Sequence, residues 1–153
     1  MGHVPEQLIE QLGLLGVFLA AATPYLEAIV VVPIAIVLGL DPVVTTVVAV
    51  AGNALTIGLF ALSSQKVMGW IAARRHRRGL EDYSPSVQRG MDIFHSYGVW
   101  AMAVLGPLLI GTQVAAAIAV SLGLSAARVT VIVTAATAGW AVLAAVVTLA
   151  ITG

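Results

Sequence analysis

The sequence predicts an all-α integral membrane protein. It would be built as two repeats, each a broken or re-entrant helix pair followed by a transmembrane helix, the second inverted relative to the first. A basic amphipathic cytoplasmic segment would join them. Three observations predict this. Of 153 residues, 60% are hydrophobic and only 9% charged, with a mean hydropathy of +1.05, well above the roughly 45–50% apolar share of soluble domains. The apolar residues fall into four blocks, two of them interrupted by helix breakers. The halves of the chain also resemble each other in order and punctuation. The whole reads as one membrane domain over 1–153, with repeat one at about 12–62, an interfacial linker at about 63–97 and repeat two at about 98–151.

The blocks are Leu12 to Leu40, Val43 to Leu62, Val99 to Leu124 and Ala126 to Ile151. A helix needs about 20 residues to cross a hydrocarbon layer about 30 Å thick. The second and fourth blocks have that length with no internal proline, and Arg128 stands near the head of the fourth. The first and third are interrupted at "ATPYLE" and "LGPLLIGTQ". Pro24 and Pro107 each remove a backbone donor and disfavour helical geometry in the residue before them. Pro33 and Gly111 are further candidate breaks. The second arms are therefore expected to begin near Tyr25 and Leu108. Irregular backbone at membrane depth must be buried in protein or line a wet cavity.

A shift of 84 residues sets Leu38, Gly39 and Leu40 on Leu122, Gly123 and Leu124. In both halves Gly-Leu precedes a helix N-cap, Asp41 before Pro42 and Ser125, and a long span follows at once. A broken block plus a span, made twice, is a common construction in secondary transporters.

Basic and acidic residues balance at seven each, so no global field recruits nucleic acid. The middle segment, "SSQKVMGWIAARRHRRGLEDYSPSVQRGMDIFHSYG", holds six of the seven basic residues, and the bias of Lys and Arg toward short cytoplasmic loops places it inside. Val67, Met68, Trp70 and Ile71 recur as an apolar stripe, with Arg74, Arg75, Arg77 and Arg78 as a headgroup and topogenic anchor. Ser84 before Pro85 opens a second helix with Val87, Met91 and Phe94 on one face and Gln88, Arg89, Asp92 and His95 on the other. The N-terminus lacks a basic region before its apolar run and is not read as a cleaved signal. There is no cysteine, hence no thiolate metal site. No nucleophile with a base, no phosphate-cradling loop and no His-carboxylate set points to catalysis, a metal or a cofactor.

The polar residues within the apolar blocks are the candidate site. Glu27 stands between Pro24 and Pro33. A charged carboxylate in a bilayer costs several kcal/mol, so it is held neutral, hydrogen-bonded or facing water, and it is a proton acceptor or cation ligand by default. Asn53 and Gln113 are either helix-to-helix hydrogen bonders or ligands. Thr23, Thr112 and Thr56 are weaker candidates, because threonine hydroxyls bond back to their own helix. Gly52, Gly58 and Gly139 stand at small-residue spacing and mark packing.

"TPYLEAIVVVPIAIVLGL" and "YGVWAMAVLGPLLIGTQVAAAIAVSLGL" resemble the two signatures of the small multidrug export proteins, over about residues 12 to 150. That family is related in architecture to the DedA membrane proteins. The resemblance implies re-entrant hairpins, a bacterial or archaeal cytoplasmic membrane, a transport activity, and Glu27 meeting a Gly111–Thr112 turn near the midplane. One departure stands out: family members commonly carry an arginine after the glutamate, and this chain has Ala28. Three functions compete: a proton- or ion-coupled carrier of a small molecule, a lipid-translocating protein, and a non-transporting scaffold. With few crossings per chain, a permeation path calls for a homo-oligomer, a dimer first.

Two topologies remain open, hairpins with two crossings or broken helices that cross fully. The hairpins place all seven basic residues on one side and are preferred on that ground. The expectation is that both termini are extracytoplasmic and the stretch from Arg74 to Arg89 is cytoplasmic. Cysteines placed singly at Gly2 and Gly153 should then react with an impermeant maleimide from outside intact cells, and one at Arg78 should not. Protection of either terminus would overturn this topology.

Overall fold

The computed structural model describes residues 3–24, 26–80 and 84–152. All regular structure among them is helical: α1 His3–Leu12, α2 Leu14–Ala21, α3 Ala28–Val37, α4 Pro42–Leu62, α5 Ser64–His76, α6 Pro85–Leu109, α7 Thr112–Ser121 and α8 Ala126–Thr152. Tyr25 lies outside the described residues, as do the side chains of Val67 and Pro107.

α4 and α8 have 21 and 27 residues, rising about 31 and 40 Å at 1.5 Å per residue. Both can cross a hydrocarbon layer of about 30 Å. Length alone does not separate a membrane span from the core helix of a soluble protein, but burial does. Only 28% and 33% of their apolar windows are buried, while Val43, Val47, Leu59, Val131, Val146 and Ile151 are exposed. Such helices need an apolar solvent. Each buries one narrow seam at every fourth residue: Thr45, Ala49, Asn53, Ile57 and Ala61 on α4, and Val129, Val133, Thr137, Ala141 and Ala145 on α8.

The other apolar helices are short. α2, α3 and α7 have 8, 10 and 10 residues, or about 12 to 15 Å, half a bilayer. Glycines set their corners. Gly13 (φ 55°) separates α1 from α2, and Gly98 (φ 76°) divides α6 into two helical stretches. At the first corner the chain folds back so closely that a Cβ on Gly16 would meet the Leu8 carbonyl.

The breaks differ in detail from the sequence expectation. Pro24 does lie in the turn between α2 and α3. Pro107, however, falls inside α6, and Pro33 inside α3. A proline removes one intrahelical bond and bends the turn before it, yet the turn after it can propagate. The second interruption falls instead at Ile110–Gly111, where Gly111 takes φ 87°, a value that ends a right-handed helix and that glycine adopts at little cost. The second arms accordingly begin at Ala28 and Thr112, three to four residues later than expected.

Both second arms end alike. Leu40 and Gly39 donate to the carbonyls of Ala35 and Ile36, and Leu124 and Gly123 donate to those of Ala119 and Val120, with Gly39 at φ 88° and Gly123 at φ 106°. This Schellman closure satisfies carbonyls that the helix leaves open. The caps then follow: the Val44 amide donates to Asp41 Oδ1 at 2.8 Å and the Arg128 amide to Ser125 Oγ at 3.3 Å. α3 and α7, and likewise α4 and α8, start 84 residues apart. Ser84 caps α6 as its sequence predicts, accepting from the Val87 amide at 3.3 Å. Val87, Met91 and Phe94 face the core and Gln88, Arg89, Asp92 and His95 do not.

The chain divides into two compact units, residues 1–56 with 134–153, and residues 57–133. The first has a core of small and β-branched residues drawn from five helices, among them Ile9 of α1, Val17 and Ala20 of α2, Val31 and Ala35 of α3, Ala49 of α4 and Ala141 of α8. The second packs Met68 of α5, Val87 and Met102 of α6, and Ala115, Ala117 and Ile118 of α7. Alanine lets helix axes approach closely, the usual basis of cohesion where lipid is as apolar as the core.

Of the three glycines marked by spacing, only Gly52 carries a tight approach: a Cβ there would meet the Phe18 carbonyl, whereas at Gly58 it would lie 3.7 Å from Thr130 and at Gly139 in open space. Gly52→Ala should therefore cost about 1–3 kcal/mol by overpacking, read as a lower Tm in detergent. Gly139→Ala should leave Tm unchanged or raise it by up to about 1 kcal/mol of added stability, through backbone entropy. An unchanged Tm for Gly52→Ala would refute the close approach of α2 and α4.

Candidate functional site

The first break follows from its own bonding. α2 ends as Ala22 and Thr23 donate to Phe18 and Ala20, and Leu26 donates to the Thr23 carbonyl at 3.2 Å. Pro24 has no donor to place. Glu27 then stands at the N-cap of α3, where its carbonyl accepts from Val30 and Val31 at 2.9 and 3.1 Å. Its side chain does not cap the helix, as a shorter Asp or Ser would.

The Glu27 side chain is buried, with 3% of its surface exposed. One oxygen, Oε2, is buried with no hydrogen bond among the described residues, and Glu27 is engaged in a further interaction. The first turn of α3 points amides and the positive end of the helix dipole toward this end. Ala28, the residue after Glu27, is fully buried. Among the other candidates in this unit, Asn53 is fully buried on α4, with its carbonyl accepting from Thr56 Oγ1 at 2.9 Å. Thr23 is exposed and spends its hydroxyl on the Leu19 carbonyl at 3.0 Å, a local bond within its own helix and turn.

The second break belongs to the other unit. Ile110 and Gly111 both donate to the Gly106 carbonyl at 2.9 Å, and Gly106 lies so close to Ala115 that a Cβ on it would clash with the alanine methyl. This close approach joins α6 to α7. Gly111 is the N-cap of α7, the position that Glu27 holds on α3, 84 residues earlier. No carboxylate stands here. Thr112 and Gln113, in the first turn, are buried and engaged in interactions instead. α7 also buries Ala115 to Ala119 in an unbroken run, so it is enclosed by protein on nearly every side.

The structure thus groups Glu27, Thr23 and Asn53 in one unit and Thr112 and Gln113 in the other. It adds residues that the sequence reading passed over. Thr137 on α8 is buried to 1% exposure at the register position of Asn53, and the 84-residue shift would have found it. Thr45 and Thr134 have buried hydroxyls with no hydrogen bond among the described residues, and no pattern in the sequence marks them. Arg74, Arg77 and Arg78 are exposed and Arg75 half-buried at the end of α5, with the Arg74 guanidinium 5.2 Å from the centre of the Trp70 ring. Cations there complement the helix C-terminus.

Two long helices with lipid-facing apolar sides and two half-length helices with buried polar N-termini define a helical membrane protein with polar groups inside its apolar body. A family model described as "Putative small multi-drug export protein" matches residues 27–143, and the chain belongs to that family. The matched stretch begins at Glu27 itself. No curated protein and no solved structure shows a significant match.

Proposed function

We propose that the protein is an ion-coupled membrane transporter in which Glu27 is the coupling carboxylate. The observation that carries this is a carboxyl group with 3% exposure at the broken end of a half-length helix. An acid so placed is costly to keep charged and is neutralised by a proton or cation. A group whose charge depends on what binds it can couple the passage of one species to another.

The architecture supports transport. The stretch 3–62 and the stretch 85–152 each run through a helix, a positive-φ glycine, a short helix, a break, a second short helix, a Gly-Leu turn and an N-capped long helix. We take these as two repeats. Two half-length arms reach the bilayer interior and return, so each broken block is a hairpin and each long helix a crossing. With the linker on the cytoplasmic side by its positive charge, α4 and α8 cross in opposite directions and the repeats are inverted. Thr112 and Gln113 would offer neutral hydrogen-bonding groups at the second break, for a small-molecule or ion substrate. Two crossings enclose little, so the working form is a homo-oligomer, a dimer first. This reading assigns no catalytic step.

The test is flux in proteoliposomes under a proton gradient, screened across inorganic ions, amphipathic cations and phospholipids. Glu27→Gln should lower coupled flux at least about tenfold, the scale of losing one carboxylate from an obligatory step, with Tm unchanged because the amide is nearly isosteric. Glu10→Gln, at an exposed acid, is the control. Wild-type flux in Glu27→Gln would remove the carboxylate from the mechanism. Phospholipid movement without ion or drug flux would favour the lipid-translocating alternative.

A further inference from the structure

We propose that the exposed face of α5 is a docking surface for the headgroups of anionic phospholipids in the bilayer that holds the protein. The proposal is independent of Glu27 and of any transport step. At about 100° per residue, Lys66, Trp70, Arg74 and Arg77 fall within a sector of about 80°, and all four are exposed, Trp70 at 60%. Met68 and Arg75 lie on the opposite side, Met68 buried in the core of its unit and Arg75 half-buried. The structure thereby splits the apolar stripe read from the sequence: Met68 and Ile71 pack inward, while Trp70 joins the cations.

The side chains of this face match a phosphodiester set beside hydrocarbon. A guanidinium presents its N–H donors in a planar fork that suits phosphate oxygens, and an ammonium supplies a point charge. The Arg74 guanidinium lies 5.2 Å from the centre of the Trp70 ring, a contact that spends none of its N–H donors on an acceptor oxygen. Tryptophan suits the boundary between headgroups and acyl chains, where its apolar body is buried and its N–H stays wet. α5 contains no acidic residue, so no carboxylate of the helix itself competes for these cations. Gly79, at φ 66°, closes the helix as its amide and that of Leu80 donate to the carbonyls of His76 and Arg75, which leaves Arg77 and Arg78 at the helix end.

Two further observations select a lipid as the occupant. α5 begins one residue after α4 ends, with Ser63 between them, and the last turn of α4 exposes Leu59 and Leu62. A helix that follows at once on a lipid-facing end starts at the membrane surface. The unit 57–133 also holds all seven Lys and Arg residues against Glu81, Asp82 and Asp92, so its field attracts anions. Basic clusters immediately beyond a membrane helix draw anionic lipid, by about fivefold per charge near the surface. A single-stranded nucleic acid could use arginine and tryptophan but not the apolar end of α4.

The test is native mass spectrometry of the full chain released from detergent micelles that contain equal amounts of phosphatidylglycerol and phosphatidylcholine of the same acyl length. The wild type should retain phosphatidylglycerol over phosphatidylcholine by at least about fivefold. Lys66→Gln, Arg74→Gln and Arg77→Gln should each lower that ratio and together bring it near parity, and Trp70→Ala should lower retention of both lipids, with helical content and Tm in phosphatidylcholine unchanged throughout. Arg89→Gln with Arg128→Gln, which removes two exposed charges of the same unit, should leave the ratio at its wild-type value. No preference in the wild type, an undiminished preference in the triple variant, or an equal fall in the Arg89 and Arg128 variant would each overturn the proposal. Displacement of the lipid by inorganic phosphate at matched concentration would mark a site for free anions, and displacement by a single-stranded oligonucleotide a nucleic-acid surface; either would overturn it as well.

Discussion

In hydrocarbon no water is present to satisfy a backbone amide or carbonyl, and the rest of this structure depends on that constraint. Each interruption of a helix must close its own hydrogen bonds. The turns after α3 and α7 do so with two backbone bonds apiece at a positive-φ glycine, followed at once by a side-chain cap on the next helix. Leu-Gly-Leu followed by Asp or Ser is thus a complete solution, in four residues, to ending one helix and starting the next. The breaks deeper in each block are solved less uniformly. In one, Pro24 lacks the donor that would need a partner; in the other, the Gly106 carbonyl accepts twice.

The same solvent removes the usual hydrophobic force between helices and leaves close packing to hold them together. Small residues therefore stand where axes approach. Gly16 admits the backbone of α1, Gly52 that of α2, and Gly106 the methyl of Ala115. Alanine fills much of the rest, with Ala20, Ala28, Ala35, Ala49 and Ala141 all fully buried. The larger apolar side chains of the long helices point outward, to lipid, so the apolar pattern is inside out relative to a soluble bundle.

How much of this was legible depends on whether the signal was local. The long helices, their caps at Asp41 and Ser125, and the Ser84–Pro85 start were readable because a cap is set by the residues within one turn of it. The face of α6 that carries Val87, Met91 and Phe94 followed from helical spacing. Pro33 and Pro107 misled because a proline is local in its cost and not in its outcome: whether a helix stops or merely bends is settled by what the surroundings can satisfy. The corners at Gly13 and Gly98 went unread for a related reason. Glycine permits a positive φ without requiring it, and the packing of Gly16 on Leu8 that exploits the corner is tertiary. Glu27 and Gln113 could be named from the sequence as buried polar groups in apolar blocks. Thr45 and Thr134 could not, since a threonine that bonds its own helix and one that does not look alike in a sequence.

The register of the two halves sharpens the reading of Glu27. Gly39 matches Gly123, Asp41 matches Ser125 and Asn53 matches Thr137 in kind as well as in place, yet Glu27 falls on Gly111. The turn, the cap and the buried seam position are alike in the two halves. A carboxyl group is not needed to cap these helices, because glycine caps α7 and the Glu27 side chain does not bond to the first turn of α3. Helix capping therefore does not account for the acid. The neighbouring position is Ala28, and the unit that holds Glu27 contains no Lys or Arg. The two helix starts therefore differ in one titratable group, a carboxyl on a side chain with 3% of its surface exposed.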